Sequence, residues 1–347
     1  MNYDIFDENY YLLKYPFLKE AITAGLIKSG LDHFQKYGQK LGLTEVSRYY
    51  NESYYLEQNP FVATAVKNGV FASGLDYFIQ YGYEQGGANT TSDYDETFYL
   101  QRHPEIIPFI QNGAFKSGFQ HFIKFGQKEG RYATNFFEPR YLRDNPGVAD
   151  AVSAGVFKTG REHYVKYGQF EPARSAVFTG TNGNDSVTGF GVGKHQITGL
   201  QVALATTSPE VGINLNTYET LKPGDSGYHS IFISTHEFDT LIGTPGSDYF
   251  VLGDVFFNHR PGLLGRITFY TGIGEATIVN FEAGKDYIQL AEPLDQFNIF
   301  PSGSDLLIQL KSGDTIGRIQ GGANLNLKQI AAANPFNTPY ISYTLLG

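Results

Sequence analysis

Three landmarks recur along the first half of the chain with one period, and they restrict its fold more than anything else in the sequence. Prolines stand at Pro16, Pro60, Pro104 and Pro146, spaced 44, 44 and 42 residues apart. Gly25, Gly69, Gly113 and Gly155 keep those spacings, as do Gly38, Gly82, Gly126 and Gly168. A fixed period of this length marks one small supersecondary unit used repeatedly, because no single copy is large enough to bury its own apolar face. The copies run over about 3–47, 48–91, 92–134 and 135–174.

The punctuation inside each copy predicts three short helices. An acidic residue or Asn precedes an aromatic-aromatic-Leu segment, as in FDENYYLLKYP (6–16), YNESYYLEQNP (50–60) and YDETFYLQRHP (94–104), with FFEPRYLRDNP (136–146) a looser version. The proline suits the first turn of a second helix, and the first glycine a left-handed stop. Ser29 with Asp32, Ser73 with Asp76, Ser117 with Gln120 and Thr159 with Glu162 have capping-box spacing ahead of a third helix. Leu31, Phe34 and Tyr37 then form one stripe, and Gly38 is expected to end the helix. The chain carries 25 Tyr and 28 Phe, and the repeat aromatics read as a shared core; an aromatic groove for sugar or peptide is the rival reading. His33, His121 and His163 occupy one repeat position that Tyr77 fills in the second copy. Exchange with Tyr points to packing with one hydrogen bond, not to metal binding.

These copies resemble the FDxxYYLxxNPDVAxAVxxGxFxxxxxHYxxYGxxEGR repeats of large exported bacterial proteins, many of them cyanobacterial. Tyr54-Tyr55-Leu56, Asn59-Pro60, His121-Phe122, Phe125-Gly126 and Glu129-Gly130-Arg131 carry the likeness. It implies location and company more than activity.

Beyond a linker at 170–175 the composition changes. β-Branched runs alternate with Gly, Asn and Asp turns, predicting strands at 230–234, 249–252, 267–270, 277–281, 287–290, 306–310, 315–319 and 341–345, with 327–333 the one candidate helix. Residues 175–347 hold 8 basic and 15 acidic residues, net −7 of the chain's −9. That balance excludes a nucleic-acid surface and suits a divalent cation or solubility. Cysteine is absent, so packing or metal must hold the fold. No basic, apolar leader opens the chain and no apolar run is long enough to span a bilayer, which by itself reads as cytosolic.

The turns GTNGND (180–185) and GTPGSD (243–248) resemble the RTX, or haemolysin-type, nonapeptide GGxGxDxUx. The segment IVNFEAGKDYIQL (278–290) is similar to that family's I-x-D-F-x-x-G-x-D-x-I-x-L, and the tail TPYISYTLLG (338–347) to the apolar ends of type I secretion substrates. The resemblance implies a β-roll, β-helix or sandwich domain, calcium between turns, and export without an N-terminal signal. It assigns calcium ligation to Gly183, Asn184, Asp185, Gly246, Asp248 and Asp286. Thr181 and Thr244 replace the family's second glycine, Asn280 stands where Asp is usual, and each nonapeptide stands alone. Asp185 and Asp248 therefore either face each other and share one ion, or each only caps its own turn.

Catalytic patterns are thin. GDSG (224–227) with His229 lacks a matching histidine motif. His229, His236, Glu237 and Asp239 cluster without H-E-x-x-H spacing and read as loop or strand surface. The expectation is an α+β multidomain chain with a helical repeat array at 1–174 and an all-β, RTX-like domain at 175–347. It is read as non-enzymatic: a secreted, calcium-binding structural protein of a surface, matrix or filament that self-associates. Alternatives are an adhesin for extracellular polysaccharide or peptide, and a secreted hydrolase or lyase.

Overall fold

The computed structural model describes residues 1–181, 183–200, 236–257, 264–330 and 344–347. The fold is α+β, with the helices N-terminal and the strands C-terminal. Two compact units are present: 1–134 with 142–166, and 135–141 with 167–347. The boundary expected at 174/175 thus lies inside the second unit, and the expected fourth copy is divided between the two.

In the helical unit the caps form as the residue types require. Asp7, Asn51 and Asp95 accept the backbone N–H three residues on. Ser29, Ser73, Ser117 and Thr159 do the same for the third helices. The acids that follow reach one residue further back than a capping box does: Asp32 accepts from Lys28 N–H and Asp76 from Ala72 N–H. A further cap comes from a residue far away in the chain, which local spacing does not reveal. Glu8, Glu52 and Glu96, in the first turn of one helix, each take two N–H groups opening another, Gly30 and Leu31, Gly74 and Leu75, Gly118 and Phe119, at 2.6–3.1 Å. A carboxylate on free N–H groups at the positive end of a helix is favourable on both counts.

Gly25, Gly69, Gly113 and Gly155 are left-handed stops, at φ of 72°, 72°, 82° and 73°. Gly38, Gly82 and Gly126 are not. Each closes a π-helical turn (Phe34–Gly38, Phe78–Gly82, Phe122–Gly126), where a Cβ would come within 2.7, 2.8 and 2.4 Å of the Tyr11, Tyr55 and Tyr99 hydroxyls. Glycine admits the tyrosine, and the stop falls at Gly42, Gly86 and Gly130. The wider π turn also takes Tyr37 off the Phe34 stripe: Phe34 is buried and Tyr37 is 53% exposed. The core is Tyr11, Phe34, Tyr55, Phe78, Tyr99 and Phe122 with their aliphatic neighbours. The helices do not run out as an open stack, because residues near 155–161 bond back to earlier copies. Lys14 Nζ donates to Gly155 O, Lys158 Nζ to Tyr50 O, and Thr159 Oγ1 to Asp93.

The second unit contains β1 (Ser175–Thr181), β2 (Ser186–Thr188), β3 (Lys194–Leu200), β4 (Phe238–Ile242), β5 (Ser247–Val251), β6 (Gly253–Phe257), β7 (Leu264–Thr268), β8 (Glu275–Val279), β9 (Tyr287–Leu290), β10 (Phe297–Ser302), β11 (Asp305–Leu310), β12 (Thr315–Ile319) and β13 (Thr344–Leu346). One sheet has the order β1-β3-β5-β9-β13, a second β10-β11-β12-β8-β4-β2, and β6-β7 is a separate hairpin. β1, β3, β5 and β9 are parallel neighbours, as are β2, β4, β8 and β12. β1, β3 and β5 thus lie in one sheet and β2 and β4 in the other, so successive described strands alternate between the sheets. Phe178, Ile197, Phe250 and Ile288 align across one sheet, Val187, Leu241, Ile278 and Ile319 across the other, and all are buried. The predicted strand at 230–234 lies outside the described residues, as do parts of 327–333 and 341–345; residues 327–330 are not helical.

Candidate functional site: the carboxylate corners of the strand unit

The two RTX-like turns occupy different corners of the strand unit. GTNGND joins β1 to β2, and GTPGSD joins β4 to β5. Asp185 therefore lies beside β2 in the six-stranded sheet, and Asp248 lies on β5 in the five-stranded sheet. Of the two readings left open, the pair does not face each other; each carboxylate closes its own turn, and the parallel strand pairing sets each turn against the next strand of its sheet. Asp185 meets Asp239, and Asp248 meets Asp286.

Each turn is closed internally in the same way. Thr181 N–H donates to Asp185 Oδ2 at 2.6 Å, and its hydroxyl to the same oxygen at 2.9 Å. Thr244 repeats this on Asp248, with N–H to Oδ2 at 2.6 Å and hydroxyl to Oδ1 at 2.9 Å. Glu282 N–H donates to Asp286 Oδ2 at 2.8 Å. The residue that replaces the family's second glycine thus supplies the hydroxyl that closes the turn. The following carboxylate then takes the backbone of the preceding one: Asp185 N–H donates to Asp239 Oδ1 at 2.8 Å, and Asp248 N–H to Asp286 Oδ1 at 3.0 Å.

The second partners differ. Tyr270 OH donates to Asp239 Oδ2 at 2.8 Å, and both groups are buried. His195, aligned with Asp248 on the neighbouring strand, places Nδ1 3.0 Å from Asp248 Oδ1 and 2.8 Å from Thr244 Oγ1. Burial pushes Asp239 and Asp286 up to about 6, against the pull of the N–H groups that hold the ionised form. The same burial, with the Asp239 charge alongside, raises the Tyr270 hydroxyl far above its ordinary value.

Buried side chains crowd two of the glycines near these corners. A Cβ on Gly199 would stand 1.9 Å from Asp239 Oδ2, and one on Gly246 would stand 2.5 Å from His195 Cε1. Gly246 N–H donates to Thr244 Oγ1, and Asn184 Oδ1 accepts from Phe238 N–H. Gly183 is half-buried and has open space beside it. Of the six residues given a ligand role in the sequence, Gly246, Asp248 and Asp286 come together, while Asn184 and Asp185 sit with Asp239 at the other corner. Asp239 is 1% exposed, which corrects its reading as surface. GDSG and His229 lie outside the described residues.

Two kinds of chemistry can be tested against this geometry. Calcium takes six to eight oxygen ligands. At Asp248 and Asp286 each carboxylate oxygen accepts a hydrogen bond from the chain's own N–H or O–H groups, so an ion there would compete with those donors. Among the described residues no group of three or more His, Asp or Glu could hold a metal. The Thr244–His195–Asp248 trio does not relay protons as a catalytic triad does. Both contacts fall on Nδ1, whereas a triad uses the two ring nitrogens separately, and His195 and Asp248 are 0% exposed. No helix among the described residues is long and apolar enough to cross a membrane. Comparison with family models, curated proteins and solved structures returns no match.

Proposed function

We infer that the chain is an exported, non-catalytic structural protein of a cell surface or extracellular matrix, and that its strand unit is a rigid β-roll-type body that folds without calcium. One observation carries the reading: the acids and the histidine at the corners are consumed in holding one coil to the next, by donors the chain itself provides. Carboxylates whose every oxygen already accepts a hydrogen bond from the chain stiffen the body they sit in.

Three of the four ends of the two larger sheets favour a discrete body over a filament built by strand addition. Residues 135–137 cover β1 through Phe137 N–H to Val177 O and Thr179 N–H to Asn135 O. Residues 328–330 cover β13 through Ile330 N–H to Leu345 O. β10, at the edge of the other sheet, carries Pro301, which cannot donate to a further strand. Export rests on the resemblance of the repeats and turns to those of exported proteins.

Two measurements test the proposal. Thermal unfolding of the full chain in millimolar calcium and in chelator is expected to give one melting temperature, since only a binder of the folded form raises it. A clear calcium-dependent rise would overturn the metal-free reading. Immunodetection in washed cells and in medium tests location, and retention inside intact cells would overturn export.

A further inference from the structure

The helical unit carries a surface feature that neither its core nor the strand corners explain. In the second copy Phe71, Tyr77 and Tyr81 form a three-ring cluster with centroid distances of 5.2, 6.0 and 5.6 Å. The third copy reproduces it with Phe115, His121 and Phe125 at 5.1, 6.0 and 5.7 Å. In the first copy His33 and Tyr37 keep the inner-to-outer contact at 5.7 Å. The outer ring is 53% exposed at Tyr37, 48% at Tyr81 and 47% at Phe125. A buried position keeps its ring for packing. An outward position that keeps a ring in copy after copy, with half of it in water, needs another reason.

We propose that these repeated outer rings are contact sites for a neutral polysaccharide. Repetition selects the partner: identical sites on one chain gain most from a ligand that also repeats, because each further contact is intramolecular. Phe and Tyr interchange at the outer position, so the contact uses the ring face, as a sugar's C–H face requires. Charge decides between polymers. The polar residue beside each outer ring is already engaged: Lys36 with Asp32 at 2.8 Å, Gln80 with Asp76 at 2.6 Å, Lys124 with Asp4 at 3.1 Å. His33 and His121 are pushed below their ordinary range chiefly by burial, so the inner position is neutral as well. Three residues beyond the outer rings the charge alternates, with Lys40 and Lys128 exposed after Tyr37 and Phe125 but Glu84 after Tyr81, so a polyanion is not what the three sites share. The inference goes beyond the structural reading and does not depend on where the chain resides.

The test is affinity electrophoresis of the purified full-length chain through gels containing hydroxyethylcellulose, a β-1,3-glucan, galactomannan or dextran sulfate, with Tyr37→Ala, Tyr81→Ala and Phe125→Ala made singly and together. These outer rings lie half in water, and unchanged melting curves check that the variants fold. The expected result is retardation by at least one neutral polymer, not by dextran sulfate, weakened in each single variant and reduced on the order of tenfold or more in the triple variant. No retardation by any neutral polymer, or retardation equal in the triple variant, overturns the proposal. It is equally overturned if sedimentation shows a dimer that the triple variant abolishes, or if the chain floats with neutral lipid vesicles, since the rings would then serve a second copy or a lipid surface.

Discussion

Replacing Tyr270 by Phe removes one oxygen atom from the strand unit and leaves the ring in place. Tyr270 is 0% exposed, and its hydroxyl is the donor to Oδ2 of Asp239, itself 1% exposed. A hydrogen bond to a buried charged group is worth about 1.5–3 kcal/mol, and an orphaned acceptor carries the full desolvation cost. The loss at neutral pH is therefore about 3 kcal/mol, which for a unit of this size lowers the melting temperature by roughly 6–12 °C. The loss depends on pH in a definite direction. Burial holds Asp239 at about 6 in the folded chain, above the ordinary ~3.9. A raised carboxyl gives stability that is complete below the unfolded value and lost as pH rises through the folded one. At pH 5 Asp239 is mostly protonated, and the hydroxyl then meets a neutral partner, where the bond is worth only about 1 kcal/mol. Circular dichroism melts of wild type and Tyr270→Phe at pH 5 and 7.5 check this. A deficit that is equal at the two values, or absent at 7.5, would show that Asp239 is not held as described.

Gly199→Ala is expected to prevent the strand unit from folding, because the new methyl collides with Asp239 Oδ2 and the Tyr270 hydroxyl, both buried; a native β-sheet spectrum from the purified variant would refute the close approach. Glu52→Ala leaves Gly74 and Leu75 N–H without their carboxylate and should cost the helical unit about 1–2 kcal/mol. Denaturant unfolding measures that, and an unchanged midpoint would dismiss the cross-helix cap.

What could be read from the sequence and what could not divide along a physical line. Contacts within one turn were legible: Ser29 and its equivalents cap as their spacing requires, and His33 and His121 each make the single hydrogen bond expected, to Tyr11 and Tyr99. Thr181 and Thr244 were visible as departures from the glycine pattern, but their purpose was hidden until the hydroxyls were placed on Asp185 and Asp248. Contacts set by register between coils were not legible. His195 is 53 residues from Asp248, and KHQITGL looks too polar to be β3. Asp239 looked like part of a surface cluster because nothing in its own neighbourhood names Asp185 N–H as its partner. Tyr37 was misplaced because a π turn changes the angular step between residues, and three-residue spacing assumes that step is constant.

The amide-to-carboxylate bonds at the corners of the strand unit run forward along the chain. The amide of Asp185 reaches forward to Asp239, and the amide of Asp248 forward to Asp286. Other amides reach back, Phe238 N–H to Asn184 and Thr240 N–H to Asp185 O, so earlier and later segments lean on each other and damage should spread both ways. Loss of the segment carrying Asp286 would strand the amide at 248 in the dry interior, and loss of the first turn would strand the amides of Phe238 and Thr240, so neither end can be removed without orphaning a donor in the other.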